Sequence, residues 1–529
     1  MAAIKLIFLA APTPHLLATK PHNIRFRPFL DRAIKPTMTE PYLTLSIPEL
    51  LLAILGHLSA NELMVAALVC KAWSAPAVDI RWRTKEITLS CLLAKLAPVE
   101  ELDRYTSNTV VLAPKTPITQ DHWSRFLERY ANRVTILDVN VKPNTDSLAL
   151  ISTLLETFGG PFCSDLSSLT WSVYGTYETR DQPKPFDLLT MTKLQAFELK
   201  ANMDESPLLS QLAHRAPQIQ KIVVPYQTTS LNFSIFSHLR HLSYFGPLST
   251  ADYRNLACCS HLRVLRLRNP YMRNTSIQQG NGEAITFPHL EEFVIFTYDD
   301  VADETILRSV MPALRSLEYQ REIYTKGTYT MHPLNGIIRT SPYLESITLE
   351  GNVPASQLEW VHHDGVQRLS FHNLCKLKFG PGAEDLELST IARTFPKLKQ
   401  LEVLWRRSRW HWSAIQMLGD LLPDLRHLGL SIDVSISSMS EAPEVISPIP
   451  SLANLEFKVL CIEPAAIDPF IRYLAILCPN IRNMSVENLL ELMEVEGGKV
   501  TKIGGNARAF VKRFFDYKGR GRSRSEILT

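Results

Sequence analysis

The densest group of residues with binding chemistry in this sequence is the segment from Leu404 to Trp412, which holds three Arg, three Trp and one His. Trp and Arg supply much of the binding energy at protein interfaces, and a guanidinium gains further from contact with an aromatic face. An apolar, strand-like run precedes the segment, so the pattern predicts a binding loop with contacts from Trp405, Arg407 and Trp410. The alternative is a loop whose tryptophans tuck beneath the fold.

Catalytic chemistry is not indicated. His362, His363 and Asp364 cluster in sequence, but no Cys or second carboxylate stands at ligand spacing, so we predict no metal site. No Gly-x-Ser-x-Gly and no phosphate-binding glycine loop occurs. The sequence therefore predicts a protein that is not an enzyme and needs no cofactor.

Composition limits the class of partner and the compartment. The 529 residues carry a formal charge of +3, which gives no global attraction to nucleic acid, and no run of 18 apolar residues predicts a membrane span. The basic tail from Lys512 to Arg524 is interpreted as solvated, with nuclear import as the alternative. Eight cysteines without a Cys-x-x-Cys pair indicate reduced thiols, which predicts a cytoplasmic or nuclear location.

The binding groups must be held by two kinds of element, and the first is a helical module at 43–84. Ser46 and Glu49, then Ser59 and Glu62, have the spacing of capping boxes, which predicts two helix starts. Apolar residues at i, i+3, i+4 and i+7 predict one apolar helix face, formed by Leu51, Ile54, Leu55 and Leu58. We place Trp73 on the second helix and expect Pro76 to open a third. Residues 1–40 are predicted to be a disordered or non-native extension, with Met38 as a hypothetical start.

This module resembles an F-box. The resemblance is carried by Pro48-Glu49-Leu50-Leu51, Ile54-Leu55, Leu58, Leu68-Val69-Cys70, Lys71-Ala72-Trp73 and Trp82. The usual Leu-Pro-x-Glu opening is here Ser46-Ile47-Pro48-Glu49. The resemblance implies docking on the Skp-family adaptor of a cullin–RING ubiquitin ligase complex. The residues it implies for adaptor binding are Pro48, Leu51, Ile54, Leu55, Leu58, Leu68, Val69 and Trp73. The alternative is an ordinary helical cap that buries Leu51, Leu55 and Leu58.

The second kind of element is a repeat from 119 to 503, after a linker or first cap at 85–118. Apolar residues recur at positions p, p+3 and p+5, often with Pro at p−2 and a helical pattern upstream. Seven copies are clear, with p at 262, 314, 344, 398, 425, 452 and 481, and seven are weaker, at 134, 166, 194, 219, 239, 290 and 374. Residues p+3 and p+5 lie on one side of a strand, and Pro at p−2 is expected to end the helix and set an extended backbone. One strand and one helix cannot bury their own apolar sides, so the units must stack.

This pattern resembles the leucine-rich repeat, although the usual Asn or Cys at p+8 is nearly absent. The resemblance implies an α/β fold, with a three-helix F-box followed by an irregular solenoid whose curved parallel sheet lies inside and helices outside. Residues 504–529 are predicted to form a C-terminal cap and basic tail. The alternative is a set of unrelated strand–helix units.

The side chains at p+2, p+4 and p+6 would line the concave face, where their mixed charges name no target class. With the tryptophan-rich segment, the predicted target-binding residues are Arg266, Arg268, Glu318, Lys376, Lys378, Glu402, Trp405, Arg407, Trp410 and His427. The expected function is a substrate-recognition subunit of such a ligase, which holds an unknown target protein. The alternative is a repeat scaffold with no ligase role.

Overall fold

The computed structural model describes residues 48–96, 99–104, 109–114, 117–141, 147–173, 189, 191–201, 206–224, 233–246, 248, 250–268, 284–297, 309–321, 332–350, 374–379, 388–403, 410–440, 447–495, 499–504 and 507–525. The chain divides into two compact units, residues 1–78 and 79–529.

The first described elements are three helices: α1 (Pro48–Gly56), α2 (Ala60–Ala66) and α3 (Lys71–Thr84). A capping box starts α2, as predicted: the Ser59 N–H donates to Glu62 Oε2 at 2.7 Å, and the Glu62 N–H donates to Ser59 Oγ at 3.4 Å. Two expectations are wrong. Trp73 lies on α3, and Pro76 lies inside α3, where the helix loses one backbone hydrogen bond instead of starting.

The stretch after α3, predicted as a linker or first cap, forms a short strand, a short helix and an antiparallel pair of strands. The segment from Ile87 to Leu93 gives only a two-residue strand, β1 (Ile87–Thr88), because the Thr88 hydroxyl accepts from the Cys91 N–H and caps helix α4 (Leu89–Leu93). An antiparallel pair follows, β2 (Val99–Arg104) with β3 (Thr109–Pro114).

All fourteen predicted repeat copies form strands, and each strand begins at p+2. They are β4 (Ile136–Val141), β5 (Ser168–Val173), β6 (Ala196–Ala201), β7 (Lys221–Val224), β8 (His241–Phe245), β9 (Val264–Arg268), β10 (Glu292–Thr297), β11 (Ser316–Arg321), β12 (Ser346–Glu350), β13 (Lys376–Phe379), β14 (Gln400–Val403), β16 (His427–Val434), β17 (Asn454–Ile462) and β18 (Asn483–Val495). The short β15 (Trp410–His411) lies beside β16. Neighbouring repeat strands pair in parallel, in chain order, and β1 pairs with β4.

The repeat position p is the anchor of each unit. All fourteen residues at p are at most 2% exposed, from Val134 to Ile481. The carbonyl at p+1 accepts two hydrogen bonds, from the N–H groups at p+1 and p+2 of the next repeat. For example, Arg263 and Val264 both donate to the Arg240 carbonyl, at 2.8 and 2.9 Å. The same pair of bonds occurs at every step from Thr135 to Arg482, so this ladder fixes the register of the whole parallel sheet.

The prolines at p−2 act through a turn. In most repeats the N–H at p donates to the carbonyl at p−3, as Ile219 does to Ala216 at 3.2 Å, with Pro217 between them. That places the proline second in a four-residue turn, where its fixed φ is already correct. The expected extended backbone at this point is therefore wrong. Five of these prolines do follow the end of a helix, as predicted: Pro217, Pro342, Pro396, Pro423 and Pro479.

The helices of the second unit lie on the side of the sheet to which p+3 and p+5 point. They include α5 (Gln120–Arg129), α6 (Ser147–Phe158), α7 (Ser206–Arg215), α8 (Thr250–Ala257), α9 (His332–Arg339), α10 (Leu388–Thr394), α11 (Ala414–Leu421), α12 (Ile436–Ser440) and α13 (Ile467–Leu477). Ring contacts join the two layers: Phe457 at p+5 lies 6.1 Å from Phe470 on α13. The opposite side of the sheet carries the side chains at p+2, p+4 and p+6, and we call it the open face.

The last strands are longer than the others, and β18 pairs antiparallel with β19 (Lys499–Gly504). The register shifts where Leu430 and Ser431 pair with Phe457 and Val459, which leaves Lys458 as a bulge on β17, and Ser431 is fully buried. Helix α14 (Ala507–Ser525) follows, with Phe510 and Phe514 buried, so the predicted C-terminal cap and most of the basic tail form one helix. Among the described helices, none combines the length and apolarity that a bilayer crossing requires.

Candidate functional site

The N-terminal helices carry a patch of exposed apolar side chains, which we call the helical patch. Its members are Leu50, Leu52, Met64, Val65, Leu68 and Val69, and their exposed fractions run from 40% to 85%. Only four other large apolar residues in the described part of the chain are as exposed, and these are scattered: Ile235, Tyr343, Ile476 and Tyr517. Six such side chains within twenty residues of a small helical unit indicate a protein-binding surface.

The residues predicted for adaptor binding divide by burial. Pro48, Leu68 and Val69 are exposed, whereas Ile54, Leu58 and Trp73 are half-buried. Leu51 and Leu55 are 6% and 0% exposed, so the expectation that they stand open is wrong. The i, i+3, i+4 spacing identified the face of α1 that packs inward, as such spacing usually does.

Sequence reasoning missed Leu50, Leu52, Met64 and Val65. The signal was present, because these residues are apolar at positions that the helical period leaves facing outward. A large apolar residue outside the core stripe of a helix is a better indicator of a docking surface than one within it.

On the open face, the predicted target-binding residues line up across neighbouring strands. Arg266 and Arg268 are exposed, while Glu318, Lys376, Lys378, Glu402 and His427 are half-buried. Strand register places Phe245, Arg268 and Phe296 side by side, and places Lys378 beside Glu402. These residues therefore belong to one surface, as the repeat spacing predicted.

Charges alternate along the open face in the C-terminal half of the sheet. Lys378 Nζ lies 2.7 Å from Glu350 and 3.9 Å from Glu402, and His427 Nε2 lies 3.3 Å from Glu402 and 3.9 Å from Glu456. Lys458 Nζ continues the series, 2.7 Å from Glu456 and 2.6 Å from Glu487. We call this series the charge ladder.

The centre of the charge ladder is the group formed by Glu402, His427 and Glu456. One carboxylate oxygen from each Glu and the imidazole nitrogen lie within 4.8 Å of one another, a donor set that could hold a divalent cation. The contact with His427, followed by the Gln400 amide and the Lys378 charge, lowers the pKa of Glu402 to about 2 against the opposing effect of burial. Sequence spacing could not reveal this group, because its members lie 25 and 29 residues apart on β14, β16 and β17.

The N-terminal half of the open face is richer in cations. Arg266 donates to Glu292 from Nε and Nη2, at 3.0 and 2.7 Å. The Arg268 guanidinium stands between two rings, 5.8 Å from the centroid of Phe245 and 4.6 Å from that of Phe296. Burial, with the charges of Lys221 and Arg266, lowers the pKa of His241 to about 4, although Glu292 opposes the shift.

The tryptophan-rich segment is only partly described. Trp405 and Arg407 lie outside the described residues, as do His362, His363 and Asp364. Trp410 is half-buried on β15, and Trp412 is 1% exposed, in an edge-on contact with Tyr473 at 4.6 Å between centroids. For Trp412 the alternative interpretation is therefore correct: this ring packs beneath the sheet.

Comparison with known proteins identifies the class of the N-terminal module. Residues 48–87 match the family model described as F-box-like. No curated protein sequence matches the chain. The chain therefore carries an F-box-like domain followed by a repeat of parallel strands and helices of the leucine-rich type, which confirms the predicted α/β fold class. This combination indicates binding of an adaptor and of further protein partners.

Solved repeat structures from bacteria are similar to this chain. An internalin (inlF) from Listeria monocytogenes is 11% identical, with 76% of this chain and 93% of that chain covered and a TM-score of 0.30. A leucine-rich-repeat protein of Leptospira interrogans is 13% identical, with 62% and 74% covered and a TM-score of 0.36. The fold assignment itself rests on the strand register and the buried positions given above.

Proposed function

We propose that the protein is the substrate-recognition subunit of a cullin–RING ubiquitin ligase of the SCF type. The F-box-like domain would bind a Skp-family adaptor, and the open face of the repeats would bind a target protein. The target lysines would then be held near the ubiquitin carrier at a high effective concentration. The proposal assigns no bond-making step to this chain.

The observation that carries this proposal is the helical patch, because it lies within the stretch that matches the F-box-like family. Six large apolar side chains exposed within twenty residues lower the solubility of a protein unless a partner covers them. None of the eight cysteines forms a disulfide in the structure, which supports a reducing compartment, so we place the protein in the cytoplasm, the nucleus or both.

Adaptor binding can be tested with the full-length chain and a purified Skp-family adaptor. Replacing Leu68 and Val69 by Ser should weaken capture at least about tenfold, since buried apolar anchors at an interface typically contribute more than 1 kcal/mol each. The matched control replaces Ile235 and Ile476 by Ser, which are as exposed but lie in the other unit. Equal capture by both double variants would contradict the proposed docking surface.

The alternative function is a repeat scaffold with no ligase role. It predicts that folded, full-length protein captures no adaptor, and that cullin is absent when the retained proteins are identified by mass spectrometry. Capture of the adaptor together with cullin supports the ligase proposal. Proteins retained through the open face are candidates for the target.

A further inference from the structure

The side chains at p−1 and p+1 flank the buried residue p at the start of each strand, and we call this row the start margin. In its first part three ion pairs join equivalent positions of neighbouring repeats, at 2.6 to 2.9 Å: Lys193 with Asp165, Arg263 with Glu291 and Arg315 with Glu345. The chain itself therefore neutralises much of the charge in this part of the start margin.

The last part of the start margin has an excess of cations. From β14 to β18 the repeats carry four cations against one carboxylate, a net charge of +3: Lys397, Lys399, Arg426 and Arg482 against Asp424. All four cationic side chains are exposed, and none forms a hydrogen bond or an ion pair with the described part of the chain. An excess of one sign of charge on one side of a surface attracts a partner of the opposite sign.

A cavity of about 630 Å³ lies beside this excess of charge, where helix α14 meets the last two repeats. Its wall contains the cations Arg482 and Lys518 and no carboxylate. Ala453 lies between Arg426 and Arg482 along the backbone ladder, and its short side chain leaves room for the cavity. The volume lies within the range that small-molecule sites occupy.

Two carbonyl groups in the wall of this cavity already accept hydrogen bonds from the protein. Asn480 Nδ2 donates to the Pro450 carbonyl at 2.8 Å, and Lys518 Nζ donates to the Ile481 carbonyl at 2.5 Å. The second bond also ties helix α14 to the start of β18. These acceptors are therefore engaged before any ligand enters the cavity.

The donors of the wall include two that the protein does not use. The Arg482 guanidinium makes no hydrogen bond to the described residues, and Ser451 Oγ is buried without a hydrogen-bond partner among them. A group with several acceptor oxygens matches such donors. The local charge of +3 favours a doubly charged phosphate over a singly charged carboxylate.

Phe515 gives the cavity an aromatic wall, next to the apolar side chains of Pro450 and Ile481. Its ring lies edge-on to the ring of Phe514, with 5.2 Å between centroids, and Phe514 is fully buried. This contact holds the Phe515 ring in place. A flat ring on a ligand can stack against an aromatic side chain that is fixed in this way.

We propose that this cavity binds a small phosphate monoester whose organic part is a flat ring. The Arg482 guanidinium would donate two parallel hydrogen bonds to the phosphate, and Arg426 would add positive charge from two strands away. The ring of the ligand would lie against Phe515. None of these residues belongs to the helical patch or to the open face, so the inference goes beyond the proposed function and does not depend on it.

The test is isothermal titration calorimetry of the full-length protein with phenyl phosphate and with inorganic phosphate. Phenyl phosphate should bind at least about tenfold more tightly, because its ring is buried against Phe515. Equal affinities for the two probes, or no binding of phenyl phosphate, would overturn the inference. A phosphotyrosyl peptide that binds more tightly than phenyl phosphate would also overturn it, since contacts outside the cavity would then hold the ligand.

Variants assign the phosphate and the ring to their contacts. Arg482→Gln should weaken binding of phenyl phosphate at least about tenfold, the effect of losing a charge-assisted pair of hydrogen bonds. The matched control is Arg240→Gln, at the exposed p+1 position before β8, which should change the affinity less than about twofold. Phe515→Leu should reduce the preference for phenyl phosphate over inorganic phosphate to less than about threefold.

The melting temperature without ligand shows whether each variant is folded, and it should equal that of the wild type for both arginine variants because these side chains are exposed. An equal loss of binding in Arg482→Gln and Arg240→Gln would overturn the inference, because the attraction would then depend on total charge and not on the cavity.

Discussion

Ile449 lies directly against Gly419 on helix α11, and its side chain fills the space that a β-carbon at 419 would need. Glycine inside a helix usually costs about 1 kcal/mol relative to alanine. Here the packing of a buried residue opposes that preference. Gly519, on α14, has nothing within 4 Å of its position and provides the comparison.

Gly419→Ala should therefore destabilise the protein by about 1–3 kcal/mol, since an added methyl group overpacks the core. Gly519→Ala should stabilise α14 by up to about 1 kcal/mol. Chemical denaturation followed by circular dichroism measures both changes. An increase in stability for Gly419→Ala would mean that Ile449 moves aside at no cost.

Substitutions at Leu55 and Leu68 should affect different properties of the F-box-like domain, its folding and its binding respectively. Leu55→Ala creates a cavity at a fully buried site and should cost about 2–5 kcal/mol, which would appear as faster amide exchange across residues 48–78. Leu68 is 85% exposed, so Leu68→Ala should change that exchange little. It should nevertheless weaken adaptor capture. The same pattern of exchange in both variants would contradict this division.

The stability of helix α2 should depend on both residues of its capping box. Hydrogen bonds from the Ser59 backbone and side chain lower the pKa of Glu62, so the carboxylate supports the helix above the ordinary Glu pKa and loses this effect as the pH falls. Ser59→Ala should raise amide exchange over residues 60–64 several-fold at neutral pH. Glu62→Gln, which keeps a hydrogen-bond acceptor, should have a smaller effect. Equal exchange in Ser59→Ala and the wild type would show that the cap adds no stability.

His241 should make the repeat unit less stable in mild acid. The pKa of His241 is about 4 in the folded chain, below the ordinary value near 6.5. Between these two pH values the unfolded chain therefore binds a proton that the folded chain does not bind. The resulting loss of folding free energy therefore grows as the pH falls from about 6.5 to 4, and it levels off below pH 4. His241→Gln should show a smaller decrease in melting temperature between pH 6.5 and 4 than the wild type. Parallel curves would contradict the lowered pKa.

The repeat could be predicted from the sequence because its signal is local and redundant. Leu262, Leu265 and Leu267 alone identify the inward side of β9, and the same spacing recurs in every copy. Even weak copies were predicted correctly, because a strand that pairs on both sides must adopt the register of its neighbours. The bulge at Lys458 on β17 could not be predicted, because a bulge leaves no mark in the spacing of apolar residues.

The candidate sites were harder to predict, for two physical reasons. The helical period reports which residues pack inward, so it selected Leu51 and Leu55 and passed over Leu50 and Val65. The group of Glu402, His427 and Glu456 exists only because parallel strands bring distant segments together at one height. The repeat spacing placed each of these residues on the open face. Which of them lie side by side could be predicted only from the register of the strands.

The backbone ladder that runs from Thr135 to Arg482 along one margin of the sheet has an evolutionary consequence. Every repeat is held at the start of its strand by the same pair of backbone hydrogen bonds, although successive p positions lie 20 to 32 residues apart. Connections of unequal length between one strand and the next p position therefore leave the strands in register. Insertions can thus be accepted one repeat at a time, while the frame of strands stays in place.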